Sequence, residues 1–144
     1  MGSDVADRLV DAINAHDLDA VVRCYTPRAV GVGPELQVED PEQIASYYEH
    51  AWQGFPDLRL DILEKVEAGD VVVLQGVVTG THTGPYLISG GETLEGTGRR
   101  VNVRCCLILT LEGDLISSHA VYYDQLESYT QLGVRLLSPA GPLG

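Results

Sequence analysis

The chain has 144 residues, a length at which a single domain buries roughly 68–70% of the surface its unfolded form exposes, so one core suffices. A formal net charge of -12 repels phosphate backbones and anionic membranes, and the sole basic pair is Arg99-Arg100, which argues against a nucleic-acid partner. Hydrophobic residues make up 44% of the chain, but no apolar run approaches the ~20 residues that cross a bilayer, so no membrane association is expected.

The opening Met1-Gly2-Ser3-Asp4 has no basic stretch followed by an apolar segment, which leads to the expectation of a cytoplasmic protein. Three cysteines, Cys24, Cys105 and Cys106, are an odd number, and adjacent strand residues point to opposite faces. They read as reduced thiols.

Val5, Leu9, Ala12 and Ile13 recur at helical spacing, which predicts a helix over 4–15 capped by Ser3 or Asp4. Asp17 can cap a second short helix presenting Leu18, Val21, Val22 and Tyr25 and stopping before Pro27. Residues 28 to 39 look extended and broken, with 29–33 as a short strand. Asp40-Pro41-Glu42-Gln43 then reads as a capping box, opening a third helix to about Trp52 with Ile44, Tyr47, Tyr48 and Ala51 on one face.

From Pro56 the period becomes two: Leu58, Leu60 and Ile62 alternate with Asp57, Arg59 and Asp61. A turn at 67–70 follows, and Val71 to His82 completes a hairpin. A glycine-rich loop runs from Thr83 to Gly98, long enough to form a rim or lid. Strands from Val101 to Leu111 and from Leu115 to Tyr123 complete an antiparallel meander, and a short helix, Gln125 to Leu132, closes at Gly133. Helices followed by a meander make an α+β domain over 1–133, with 134–144 as a poorly ordered tail.

Two stretches carry more than periodicity. Gly80-Thr81-His82-Thr83-Gly84-Pro85-Tyr86 with Thr97-Gly98-Arg99-Arg100-Val101, and His119 to Asp124 with Gln131-Leu132-Gly133, resemble the SnoaL-like polyketide cyclases. The resemblance spans the chain from the first helix to Gly133. It implies the nuclear transport factor 2-like fold, a cone-shaped curved antiparallel sheet covered by N-terminal helices, and a homodimer. It also implies a polyketide-like small-molecule substrate and a ring closure of aldol type without metal or cofactor, with Asp124 as the acid/base group. Two departures fall where a ligand would sit: Ala120 replaces a tryptophan common after the last-strand histidine, and the loop between Gly84 and Thr97 is longer than the family pattern.

A carboxylate facing an apolar cavity loses solvation, and its affinity for a proton rises toward what acid/base work near neutrality needs. Asp124 fits that role if it points inward; equally, aspartate ahead of Gln-Leu-Glu is a favoured helix cap, and both can hold. His82, beside the glycine-rich loop, is a candidate donor to a substrate oxygen, or a structural strand histidine. His119 is offset from Asp124 by an odd number of residues, so an ideal strand turns the two to opposite faces. Tyr122 shares the parity of Asp124. Arg104 interrupts an apolar strand and either pairs with an acid in the pocket or faces solvent. Tyr25, Tyr48, Tyr123 and Trp52 either line a wall or fill the core.

Other chemistries find little support. The histidines show no His-x-x-x-His spacing and Cys105-Cys106 lacks zinc-knuckle spacing, so no structural metal is expected. No Gly-Lys-Ser/Thr motif or dinucleotide fingerprint occurs. A Cys106 nucleophile paired with His82 conflicts with the inert behaviour of cysteine in an apolar strand. Epoxide-opening relatives resemble an Asp-Arg-Asp arrangement whose second aspartate falls at Val121 here. The reading is therefore a cofactor-independent cyclase. The alternatives are a cavity that templates a pericyclic or epoxide-opening closure, or a non-catalytic binding or dimerisation module.

Overall fold

The computed structural model describes residues 4–34, 37–88 and 91–134. Ser3 and most of the carboxy-terminal tail lie outside the described residues. Helix α1 (Val5–Ala15) starts at Asp4, whose carboxylate accepts the Asp7 N–H at 2.9 Å, and it ends at His16 in the left-handed conformation. Asp17 caps α2 in the same way, through Ala20.

Helix α2 (Leu18–Val22) stops earlier than its apolar spacing predicts, because Tyr25 already belongs to strand β1 (Tyr25–Val32). Pro27 is tolerated in that strand because it falls where the pairing register shifts, between Tyr25 and Val30. Strand β2 (Gln37–Val38) leads into α3 (Pro41–Gly54). Asp40 accepts the Gln43 N–H, and the Gln43 amide reaches back to the Glu39 N–H at 2.8 Å, one residue earlier than the ideal capping box.

Strands β3 (Arg59–Ala68), β4 (Val71–Thr81), β7 (Arg100–Glu112) and β8 (Leu115–Tyr123) form the expected antiparallel meander. The full sheet runs β2-β1-β8-β7-β4-β3 and remains open at both edges. It is mixed rather than purely antiparallel, since β1 pairs with β8 in parallel. Only a tight hairpin forces neighbouring strands to oppose one another, and β1 reaches β8 through most of the domain. The glycine-rich loop is not structureless: it holds a small ladder of β5 (Tyr86–Leu87) and β6 (Thr93–Leu94), and α4 (Gln125–Leu132) closes the fold at Gly133, φ 80°.

One face of this curved sheet is covered by the helices. Val101, Val103, Cys105, Leu107 and Leu109 on β7 are buried there, with Val72, Leu74, Gly76 and Val78 of β4 on the same face. The even-numbered residues of β7 point the other way. Helix α1 is fastened to the edge strand by Asn14, whose Nδ2 donates to Leu60 O at 2.8 Å and whose Oδ1 accepts the Leu60 N–H at 2.7 Å. An Asn14→Ala substitution strands both half-buried backbone groups, so it should lower the unfolding free energy by about 1–3 kcal/mol in urea titrations, with an unchanged denaturant slope.

Candidate functional site

Between the covered face of the sheet and α3 lies a cavity of about 140 Å³. Its size is close to that of the ~150 Å³ apolar cavities known to admit a benzene-sized guest. The sheet contributes Val78, Val103, Leu107 and Val121, which are brought side by side by the Val78–Val103 and Leu107–Val121 pairings. Helix α3 contributes Tyr47, Tyr48, Ala51 and Trp52, one helical face at i, i+1, i+4 and i+5. Polar atoms come from tyrosines, Thr79, Ser128, Trp52 and Cys105; among the described residues no charged side chain lines the space. Burial pushes the Cys105 thiol up to about 11, so it stays protonated near neutrality.

A row of buried polar groups leads away from this cavity. The Tyr48 hydroxyl lies 3.1 Å from the Tyr25 hydroxyl, which lies 2.8 Å from Nδ1 of His119. Three elements meet there: α3, the first residue of β1, and β8. Burial holds both phenols well above their usual range, and at Tyr25 the adjoining Tyr48 acts in the same direction. Desolvation pushes the His119 imidazole, 5% exposed, down to about 4. The ring lies flat against Gly31, its partner in the parallel ladder, where a Cβ would collide with Nε2; glycine at 31 is what makes room for it.

The residues singled out from sequence are not gathered at one place. Trp52 and Tyr48 are on the cavity wall, Trp52 stacked on His16 at 5.0 Å, and its indole N–H has no hydrogen-bond partner among the described residues. Tyr25 and His119 stand behind the wall. His82 is fully buried yet off the lining: its Nδ1 accepts the Thr97 N–H at 3.1 Å, and its ring packs on Phe55 and Tyr86, which do line the cavity. It ties down the base of the long loop, with backbone bonds to Arg99 O and from the Gly98 N–H. That loop also docks on the end of α3 through Gly84, where any side chain would strike Gln53 O.

Asp124 is exposed, and its carboxylate caps α4 by accepting the Glu127 N–H at 3.1 Å. It stands between two lining residues, Tyr123 and Ser128, without lining the cavity itself. The sheltered, inward carboxylate that the sequence suggested is therefore not what the geometry presents. Arg104 and Tyr122 lie on the opposite face of the sheet, beside Cys106 and Gln75, and Tyr122 is 56% exposed. Strand parity accounts for both, because odd positions of β7, and of β8 from His119 onward, face inward. By the same parity His119, not Tyr122, turns toward the helices. Phe55, Tyr86 and Cys105 were missed as lining residues; the alternation Val101, Val103, Cys105 is the signal that would have found the last.

Comparison with known proteins places this geometry in a family. The sequence profile described as a SnoaL-like domain matches residues 6–119. The chain belongs to that family. A protein from Jannaschia Sp. CCS1 assigned as a SnoaL-like polyketide cyclase is 26% identical, with a TM-score of 0.80 over 91% of this chain and 90% of the other. IdmH from Streptomyces antibioticus, assigned as a polyketide cyclase, is 24% identical with a TM-score of 0.74, covering 90% of this chain and 96% of its own. AclR from Streptomyces galilaeus, assigned as a hydroxylase, is 24% identical with a TM-score of 0.76, covering 90% and 92%. At those identities the last two share the nuclear transport factor 2-like fold with this chain. No curated protein matches the sequence significantly. Among the described residues no helix is long and apolar enough to cross a membrane.

His119 makes stability depend on pH. Above its ordinary value of 6.5 the ring is neutral in folded and unfolded chains alike; as pH falls from there toward about 4, only the unfolded chain takes up the proton. Stability should fall over that window by up to about 3 kcal/mol from this group and level off below it. Urea unfolding from pH 7 to pH 4 should show a shallower decline in His119→Gln than in wild type; parallel curves would refute it.

Proposed function

We propose that the protein is a cofactor-independent cyclase that closes a ring on a polyketide-type small molecule held in the cavity between α3 and the sheet. The observation that carries this reading is the cavity itself, an apolar space with scattered hydroxyls and no charged lining among the described residues, in a chain of the SnoaL-like family. Holding two carbons of one flexible molecule together supplies roughly 7–11 kcal/mol in the best intramolecular cases. A cavity of fixed shape can therefore do much of the work.

The aldol-type reading assigns proton transfer to Asp124. The exposure of that carboxylate and its engagement as a helix cap favour the alternative, in which the cavity templates the closure and Asp124 holds α4 in place. Trp52 is the only tryptophan and lines the cavity, so its fluorescence reports occupancy. Titration with a short linear poly-β-ketone should quench it, and Val103→Trp, which fills the space, should weaken binding of that ketone by about tenfold or more when followed by calorimetry. Product analysis should show ring closure above the buffer rate, retained in Asp124→Asn under the template reading and lost under the acid/base reading. Binding with no acceleration would mark a non-catalytic module.

The same reading includes a homodimer joined through the uncovered sheet face, where Val73, Cys106, Ile108 and Tyr122 leave apolar surface beside Arg104. Sedimentation should show a dimer for wild type and a monomer for Tyr122→Glu.

A further inference from the structure

A ring closure that passes through an enol or enolate builds negative charge on an oxygen, and this cavity has no cationic side chain to meet it among the described residues. Its donors are the hydroxyls of its tyrosines, Thr79 and Ser128, with the Trp52 indole N–H and the Cys105 thiol beside them. Among the described residues no hydrogen-bonded row stands behind the hydroxyls of Thr79 and Ser128, whereas Tyr48 is backed by Tyr25 and then His119 at 3.1 and 2.8 Å.

We propose that Tyr48 is the oxygen-binding group of the cavity, donating to the enol, phenol or β-dicarbonyl oxygen of the substrate, with Tyr25 and His119 as positioning residues that set the direction of its proton. This rests on the reading of the cavity as the ring-closing site and names the kind of substrate atom it recognises.

The hydrogen-bond capacities make the arrangement specific. Tyr25 has one neighbour on each side, so when its proton points to His119 the Tyr48 hydroxyl donates to Tyr25 and offers only lone pairs to the cavity. When Nδ1 of His119 carries the proton and donates to Tyr25, Tyr25 donates to Tyr48, and the Tyr48 O–H is released toward a guest. Neutral imidazole can adopt either tautomer, and burial keeps it neutral at every pH above about 4. A donor polarised by two hydrogen bonds behind it strengthens as charge grows on the acceptor, and the same burial keeps the proton on Tyr48 instead of surrendering it.

Beyond the row, the titratable side chains on the cavity wall among the described residues are Tyr47 on α3, Cys105 on β7, Tyr86 on β5 and Tyr123 on β8; behind the wall stand Cys24, His16 against Trp52, His50 against Tyr86 and His82 against Phe55 and Tyr86, and none of these four lines the cavity.

The test uses para-nitrophenol, whose phenolate has its own absorption band, and nitrobenzene as the apolar control lacking the oxygen acid. The pH at which bound para-nitrophenol ionises is read in wild type, Tyr48→Phe and Tyr25→Phe. A donor to the oxyanion should place that pH about 1–2 units lower in wild type than in Tyr48→Phe, with a smaller shift of the same sign in Tyr25→Phe. Nitrobenzene affinity should be the same in all three, which a merely structural loss would not leave intact. If all three bind nitrobenzene and ionise para-nitrophenol at the same pH, the oxygen site is wrong while the cavity reading stands. If wild type binds neither compound, the cavity reading fails and the oxygen site with it.

Discussion

The strict two-residue alternation of β7 is the constraint on which the rest of this structure depends. Val101, Val103, Cys105, Leu107 and Leu109 face the helices, and the registers with β4 and β8 carry that choice outward in both directions. Burying five such side chains on one face outweighs any alternative register, since a slip of one residue would turn all of them to the other side. Once β7 is set, Val78 and Val121 must line the same hollow, and Arg104 and Tyr122 must leave it.

The helices then decide how much of that hollow stays empty. Helix α3 is held at its start by Asp40 and Gln43 and at its end by the loop that docks on Gly54, so Tyr48 and Trp52 stand off from the sheet instead of collapsing onto it. His16 stacks on Trp52 and bonds to Leu58 O, which fixes the indole from the far side. His82 and Thr97 serve the same end for the opposite wall, since they support Phe55 and Tyr86 from behind. A space framed this way is kept open by second contacts on each wall residue.

Much of the fold was legible because its signals are local. Capping aspartates at 4, 17 and 40, the change of period near Pro56 and the glycine at 133 each announce an element within a few residues. The β5–β6 ladder was not, since two-residue strands are too short to show a period, and neither was the parallel pairing of β1, which depends on contacts from far along the chain. The site was harder. Tyr48 and His119 lie 23 and 94 residues from Tyr25, so no spacing reveals that they touch. Asp124 illustrates the opposite difficulty: a helix cap and a buried acid are written with the same residue before the same helix, and only the direction of the carboxylate separates them.

Strand β3 is an edge, yet it offers little to a newcomer. Asn14 occupies both backbone groups of Leu60, the register shifts between Ile62 and Glu64, and Lys65 turns to the helix side to meet Asp4 and Asp7. A foreign strand trying to extend the sheet would have to evict an amide, straighten a kink and strip a cation of its counter-ions. At the other edge, β2 is two residues long. Lateral growth into fibrils is thereby discouraged at both margins, and association between copies is left to the broad faces of the molecule.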